Sequence, residues 1–149
     1  MKALKVLGMA VGAAMLASPA FAGSTLDEVM DRGAVRCGVS GSLAGFSIPD
    51  SKGVMQGLDA DVCRAVAAAV LGDANAVEFV PLSAQQRFTA LQSGEVDVLS
   101  RNTTWTLTRD TALGLNFTNV TFYDGQGFMV PTSLGVSTAA ELDGAAICV

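Results

Sequence analysis

The chain has 149 residues, with 9 basic and 14 acidic side chains, a formal net charge of −5 and no histidine. That balance argues against nucleic acid and anionic membrane surfaces as partners, and the missing histidine removes the commonest acid–base catalyst and metal ligand. No Cys-x-x-Cys pair, nucleophile elbow or glycine-rich phosphate loop occurs, so neither cofactor nor metal is expected.

Lys2 and Lys5, the apolar run 6–16 and the triplet Ala20-Phe21-Ala22 read as the three parts of a cleaved export signal, residues 1–22. The run is shorter than the roughly 20 residues a membrane span needs. Residues 25–32 then form an amphipathic helix pattern, with Leu26, Val29 and Met30 on one side and Gly33 at its end. A strand over 35–39 leads into a glycine-rich loop, 40–45. Segments 46–48 and 54–56 flank a turn built on Pro49, Asp50, Ser51 and Gly53, a hairpin-like excursion.

Asp59 or Asp61 opens a helix through Leu71, with Val62, Val66, Ala69 and Val70 at helical spacing and Gly72 closing it. A strand over 77–81 follows. Ser83 caps a helix over 84–92, with Phe88 and Leu91 inward, and a strand over 96–99 comes next. Beyond a polar loop, Thr106 caps another helix. Residues 115–122 and 126–130 read as strands, 138–142 as a helix and 145–149 as a last strand, while Phe46, Phe88 and Phe117 read as core. An unpaired edge strand at Val149 is a liability, so a second domain is expected beyond it. The domain crossing is placed near Val130-Pro131-Thr132.

Alternating strands and helices predict an α/β fold, a mostly parallel sheet with helices on both faces. Ligands in such sheets bind beyond the carboxyl ends of the strands, so loops 40–45 and 100–105 are expected to face one crevice. Cys37, Cys63 and Cys148 sit in apolar patterns and read first as small buried hydrophobes. A Cys37–Cys63 bridge is the alternative. Glu95 and Asp97 share one polar strand face, which makes a poor catalytic pair.

The run from Asp97 to Arg109, D-V-L-S-R-N-T-T-W-T-L-T-R, carries the most chemistry. Arg109 stands three residues after the capping Thr106, where a helix start favours Glu or Gln. A guanidinium there makes sense if it meets an anion, and together with free amides it forms a carboxylate receptor. Trp105 reads as packing on the sheet. Asn102, Asn116 and Asn119 begin Asn-x-Thr sequons but read as turn and capping residues.

Three blocks then carry a family resemblance: V-R-C-G-V-S with Phe46 after it, G-L-D-A-D-V-C-R-A-V, and F-T-A-L-Q-S-G-E-V-D-V-L followed by the clamp run. In this order they resemble the periplasmic solute-binding proteins of polar amino-acid ABC transporters, the bacterial extracellular solute-binding proteins of family 3. L-S-R-N-T-T-W-T and Y-D-G-Q-G-F-M-V look most like the general L-amino-acid-binding branch. The resemblance implies a type II periplasmic-binding-protein fold with two lobes closing over one amino acid. Residues 23–130 would form the first lobe, and 131–149 the hinge and the start of the second.

By the same resemblance Arg109 pairs with the ligand carboxylate, helped by the Thr104 amide, and Asn102 offers its main-chain carbonyl to the ligand ammonium. Arg101 replaces a small residue and either reaches the ligand side chain or pins its loop to Asp97 or Glu95. Ser40 falls where selective relatives carry an acid and Leu43 where they often place a stacking aromatic, which suits a broad pocket. Ala84 stands near a further contact position. The implied function is capture of L-amino acids in the periplasm for an ABC transporter permease, by a non-catalytic monomer. The alternatives are a cyclohexadienyl dehydratase-like enzyme on the same scaffold, which would need a general acid in the crevice, and the sensing lobe of a receptor.

Overall fold

The computed structural model describes residues 24–146. The export-signal residues, Cys148 and most of the expected last strand lie outside them. The chain divides into two compact units, Met1–Thr104 and Trp105–Val149.

The first unit holds α1 (Ser24–Arg32), β1 (Val35–Val39), β2 (Ile48–Pro49), β3 (Met55–Gln56), α2 (Leu58–Leu71), β4 (Val77–Pro81), α3 (Arg87–Gln92) and β5 (Val98–Leu99). Strands β4, β1 and β5 pair in that order, all parallel, so the first strand in sequence lies in the middle. Val35 faces Val77 across one ladder and Cys37 faces Val98 across the other. β2 and β3 pair antiparallel as the expected hairpin.

Alternation along β1 builds two cores. Val35, Cys37 and Val39 pack with Val29 of α1 and with Ala60, Cys63 and Ala67 of α2. On the opposite face Leu82, Ala90 and Val96 pack with Val80, Leu91 and Leu99. Gly38 points into that second core: a Cβ there would lie 2.8 Å from Leu82 Cδ1 and 2.9 Å from Leu99 Cδ1. Helices thus cover both faces of a parallel sheet, the α/β arrangement that the strand–helix alternation predicts.

Several expectations need correction. The buried stripe of α2 is Ala60, Cys63 and Ala67, whereas Ala69 is exposed and Val62 and Val66 are half-buried. The small residues face the strands because the disulfide Cys37–Cys63, with Cα atoms 6.0 Å apart, joins helix to strand at close range. The reading of these two cysteines as unpaired hydrophobes is therefore wrong. Helix α3 is three residues shorter than expected. Ser83 still caps the turn ahead of it, with Ser83 Oγ accepting from the Gln86 amide at 3.2 Å and donating to Gln86 Oε1 at 2.7 Å. Phe46, Phe88 and Phe117 are half-buried rather than core, and Leu26 and Met30 of α1 are exposed.

The second unit contains α4 (Leu107–Thr111) and 3-10 turns at Thr132–Leu134 and Ala139–Leu142. The strands expected over 115–122 and 126–130 do not form among the described residues, and the expected helix over 138–142 is one of the 3-10 turns. Strand-forming residues are there, but a strand needs a neighbouring strand, and among the described residues no strand pairs with these segments. The hinge expected near Val130-Pro131-Thr132 lies inside this unit. Among the described residues no helix is long and apolar enough to cross a membrane.

Candidate functional site

Because β1 and β5 are parallel neighbours, the loops leaving them, 40–45 and 100–104, emerge at the same sheet edge. The first loop folds back on itself: Leu43 and Ser47 exchange backbone hydrogen bonds of 3.1 and 2.9 Å. It then seats on the amino end of α2. The amides of Leu58 and Asp59 donate to the carbonyls of Gly45 and Phe46 at 3.0 and 2.9 Å, so loop backbone satisfies donors that a helix start leaves open. This seat requires Gly57, whose φ is +112° and where a Cβ would lie 2.6 Å from the Phe46 carbonyl. Ser40 and Leu43 are half-buried on this loop, and Ala84 is exposed.

Beneath the loop, the Ser40 amide donates to Ser47 Oγ at 3.1 Å, and Ser47 Oγ donates to Asp59 Oδ2 at 3.2 Å. Ser47 is fully buried and Asp59 nearly so. Burial raises the Asp59 pKa above the ordinary carboxylate value, against the opposing pull of the Ser47 hydrogen bond and the Arg101 charge. Burial likewise lowers the pKa of Arg101, and Asp59 opposes it.

The second loop is held by two guanidinium groups. Arg101 Nη1 donates to the Leu82 carbonyl, and its Nε and Nη2 donate to Asn102 Oδ1 at 3.2 and 2.9 Å. The expected pin to Asp97 or Glu95 is wrong. Asp97 is already taken by the Arg32 guanidinium and by the Arg36 amide at 2.8 Å, and Glu95 is exposed. Arg87 is 8% exposed and donates from Nη1 to the Asn102 carbonyl at 2.8 Å, with its guanidinium carbon 4.7 Å from the centre of the Phe88 ring. The carbonyl expected to meet a ligand ammonium therefore keeps one lone pair. Thr103 Oγ1 is buried with no hydrogen-bond partner, and Thr104 is exposed.

Arg109 belongs to the second unit. Thr106 caps α4 as expected, its hydroxyl accepting from the Arg109 amide at 3.3 Å, and Arg109 is half-buried. With five residues α4 has little dipole, so the electrostatic case rests on the guanidinium. Trp105 stacks on Phe117 with centroids 5.5 Å apart and its Nε1 donates to Asp110 Oδ2 at 3.3 Å.

Sequence reading did not single out Arg87, Ser47 or Asp59 for these roles. A signal existed for two of them: Arg87 lies three residues before buried Ala90, and Asp59 four before buried Cys63. Helical spacing puts both charges on inward faces. Among the described residues no group of three His, Cys, Asp or Glu side chains could hold a metal ion.

The family described as bacterial extracellular solute-binding proteins, family 3, matches residues 35–138. The chain is 59% identical over 147 residues to the general L-amino acid-binding periplasmic protein AapJ of Rhizobium johnstonii, covering 97% of this chain and 43% of that protein. It is also 59% identical to the glutamate/glutamine/aspartate/asparagine-binding protein BztA of Rhodobacter capsulatus, over 100% of this chain and 44% of that one. A solved periplasmic binding protein of an ABC transporter from Brucella ovis, with glutathione bound, superposes with a TM-score of 0.77. It is 55% identical over 84% of this chain and 40% of its own. The chain thus spans less than half the length of these relatives.

Proposed function

This chain belongs to the bacterial extracellular solute-binding proteins of family 3, and we propose that it captures L-amino acids in the periplasm for delivery to the permease subunits of an ABC transporter. Residues 23–130 serve as the first lobe, 131–149 as the hinge and start of the second, in a protein that acts as a monomer. Arg109 pairs with the α-carboxylate, the Thr104 amide adds a bond to it, and the Asn102 carbonyl accepts from the α-ammonium. Arg101, Ser40 and Leu43 border the ligand side chain. Closure of the lobes over the ligand is the state the permease reads.

The observation that carries this reading is the placement of loops 40–45 and 100–104 at one edge of the sheet, in a chain 59% identical to a general L-amino acid-binding protein. That relative, at the same identity as one named for four acidic and amide amino acids, favours a grip on the common amino-acid core. The dehydratase alternative finds no support in these two names, both of binding proteins. A second ligand class is favoured by the Brucella structure with glutathione. The γ-glutamyl end of glutathione keeps a free α-carboxylate and α-ammonium, so the same grip serves it.

The test is a titration of the isotope-labelled chain with L-glutamate, L-leucine and glutathione, followed by NMR to tens of millimolar. Amides over 40–43 and 101–104 should shift with all three ligands. Arg109→Ala should weaken every one similarly, by the about 1.5–3 kcal/mol of a charge-assisted bond, on the order of ten- to a hundredfold in affinity. Shifts absent with every ligand, or an Arg109→Ala variant that binds as well as the parent, would overturn the reading.

A further inference from the structure

We infer that Asn102 is a specificity-determining residue and that Arg101 is the positioning residue behind it. The Asn102 side-chain Nδ2 group donates to ligand side chains that end in an oxygen acceptor, a carboxylate or an amide carbonyl. The inference rests on the amino-acid reading above and deepens it, by naming which side chains the site prefers.

Both ends of Asn102 are held. Arg87, at the start of α3, is 8% exposed and donates from Nη1 to the Asn102 carbonyl at 2.8 Å. Arg101 holds the side chain, with Nε and Nη2 donating to Asn102 Oδ1 at 3.2 and 2.9 Å. Its Nη1 fastens the same guanidinium to the Leu82 carbonyl. Consecutive side chains of an extended strand point to opposite faces. The chain bends at Arg101 and Asn102, and the bend lets these two neighbours meet.

A guanidinium only donates, so the atom facing its Nε and Nη2 must be the amide oxygen. Rotating the amide by half a turn would set the Nδ2 hydrogens against those of Arg101. Nδ2 is therefore held on the side away from the guanidinium, and among the described residues it donates to no other group. Asn102 itself is exposed on the strand-end loop. Accepting from a cation polarises the amide and strengthens its own N–H donors. A fixed, strengthened donor favours a side chain that brings lone pairs and adds nothing for an apolar one.

NMR on the isotope-labelled whole chain tests both roles. In the free chain, three-bond couplings should show Asn102 in one χ1 rotamer, and in Arg101→Ala they should average over several. Titrations with L-glutamate, L-glutamine and L-leucine then read the donor. Asn102→Ala should weaken the first two by roughly fivefold or more, the effect of one hydrogen bond, and leucine by less than about twofold. Arg101→Ala should lower the preference for glutamate over leucine in the same way, whereas a merely structural loss would weaken all three alike. The Cys37 amide in the sheet should keep its position in each variant. An Asn102 that averages its rotamers in the parent, or keeps one rotamer without Arg101, overturns the positioning role. Equal weakening of the three ligands by Asn102→Ala, or none, overturns the specificity role. A parent that binds none of the three overturns the amino-acid reading and the specificity role with it, and the rotamer couplings still decide what Arg101 does.

Discussion

The stretch up to Thr104 and the stretch after it meet the same problem, where to put apolar side chains, with opposite results. The first unit has three parallel strands that pair with one another and helices on both faces, so Val35, Cys37, Val39 and Val96 are shut away from water. The second carries Tyr123 at 87% and Met129 at 100% exposure, with Phe122 and Phe128 about half exposed. Its order comes from local devices: the Thr106 cap, the capping box of Thr138 and Glu141, and the Trp105–Phe117 stack. Apolar composition is common to both, and long-range pairing belongs to the first. A core needs neighbours that return from far along the chain, and local caps contribute only about 1 kcal/mol each.

The sharpest way to break the contrast is to cut the covalent link between β1 and α2. Replacing Cys37 and Cys63 together by Ala opens a cross-link with a sequence separation of 26, worth about 3.5 kcal/mol by loop entropy. Denaturant unfolding followed by far-ultraviolet circular dichroism should shift by about that much. Fluorescence of Trp105, the single tryptophan and part of the second unit, should change little. Equal shifts by both probes would mean that the two units unfold as one.

A smaller effect is expected at Gly57. Alanine there must adopt a positive φ and meets the Phe46 carbonyl carbon at 2.6 Å, backbone strain of about 1–3 kcal/mol. The measurement is again denaturant unfolding, with hydrogen exchange at Leu58 and Asp59 showing whether the loop has left its seat on α2. If both amides stay protected, the seat does not depend on this glycine.

The smallest effects are the most diagnostic, because the two units carry titrating acids of opposite sign. Asp59 has its pKa raised above 3.8 by burial. The folded chain then holds the extra proton between that value and the raised one, so stability from this group is present at lower pH and lost as pH rises through the window. Glu141 has its pKa lowered from 4.5, chiefly because its carboxylate accepts from the backbone amides of Ser137 and Thr138. Its contribution is present above 4.5 and lost as pH falls toward the lowered value. Asp59→Asn should therefore flatten a decline with rising pH, and Glu141→Gln should remove a gain. Parallel pH profiles for the two variants would contradict the contrast.

How far the molecule can be read from its residues follows the same division. Where a pattern is enforced nearby it is legible: Gly72 ends α2 with a φ of +76°, Thr106 caps α4, and β4 runs over the expected five residues. The expected partners of distant groups fared worse. Asp97 is close enough in sequence to Arg101 to suggest a pair, but β1 lies next to β5 and brings the Arg36 amide to Asp97, and the end of α1 brings the Arg32 guanidinium. For the candidate site, Ser40 and Asn102 could be named from their blocks of sequence. The buried groups that hold their loops, Ser47, Asp59 and Arg87, could not be given partners without the fold.

By itself the sequence determined the element types of the first unit, the α/β class and the resemblance to solute-binding proteins, because hydrophobic period, capping residues and short motifs act within a turn or two of the chain. Only the tertiary structure decided that β1 lies between β4 and β5, that Cys37 meets Cys63, and that a buried carboxylate lies under the first loop. Those outcomes depend on which segments return to the same place, and no local energy term distinguishes one returning segment from another until the sheet has formed.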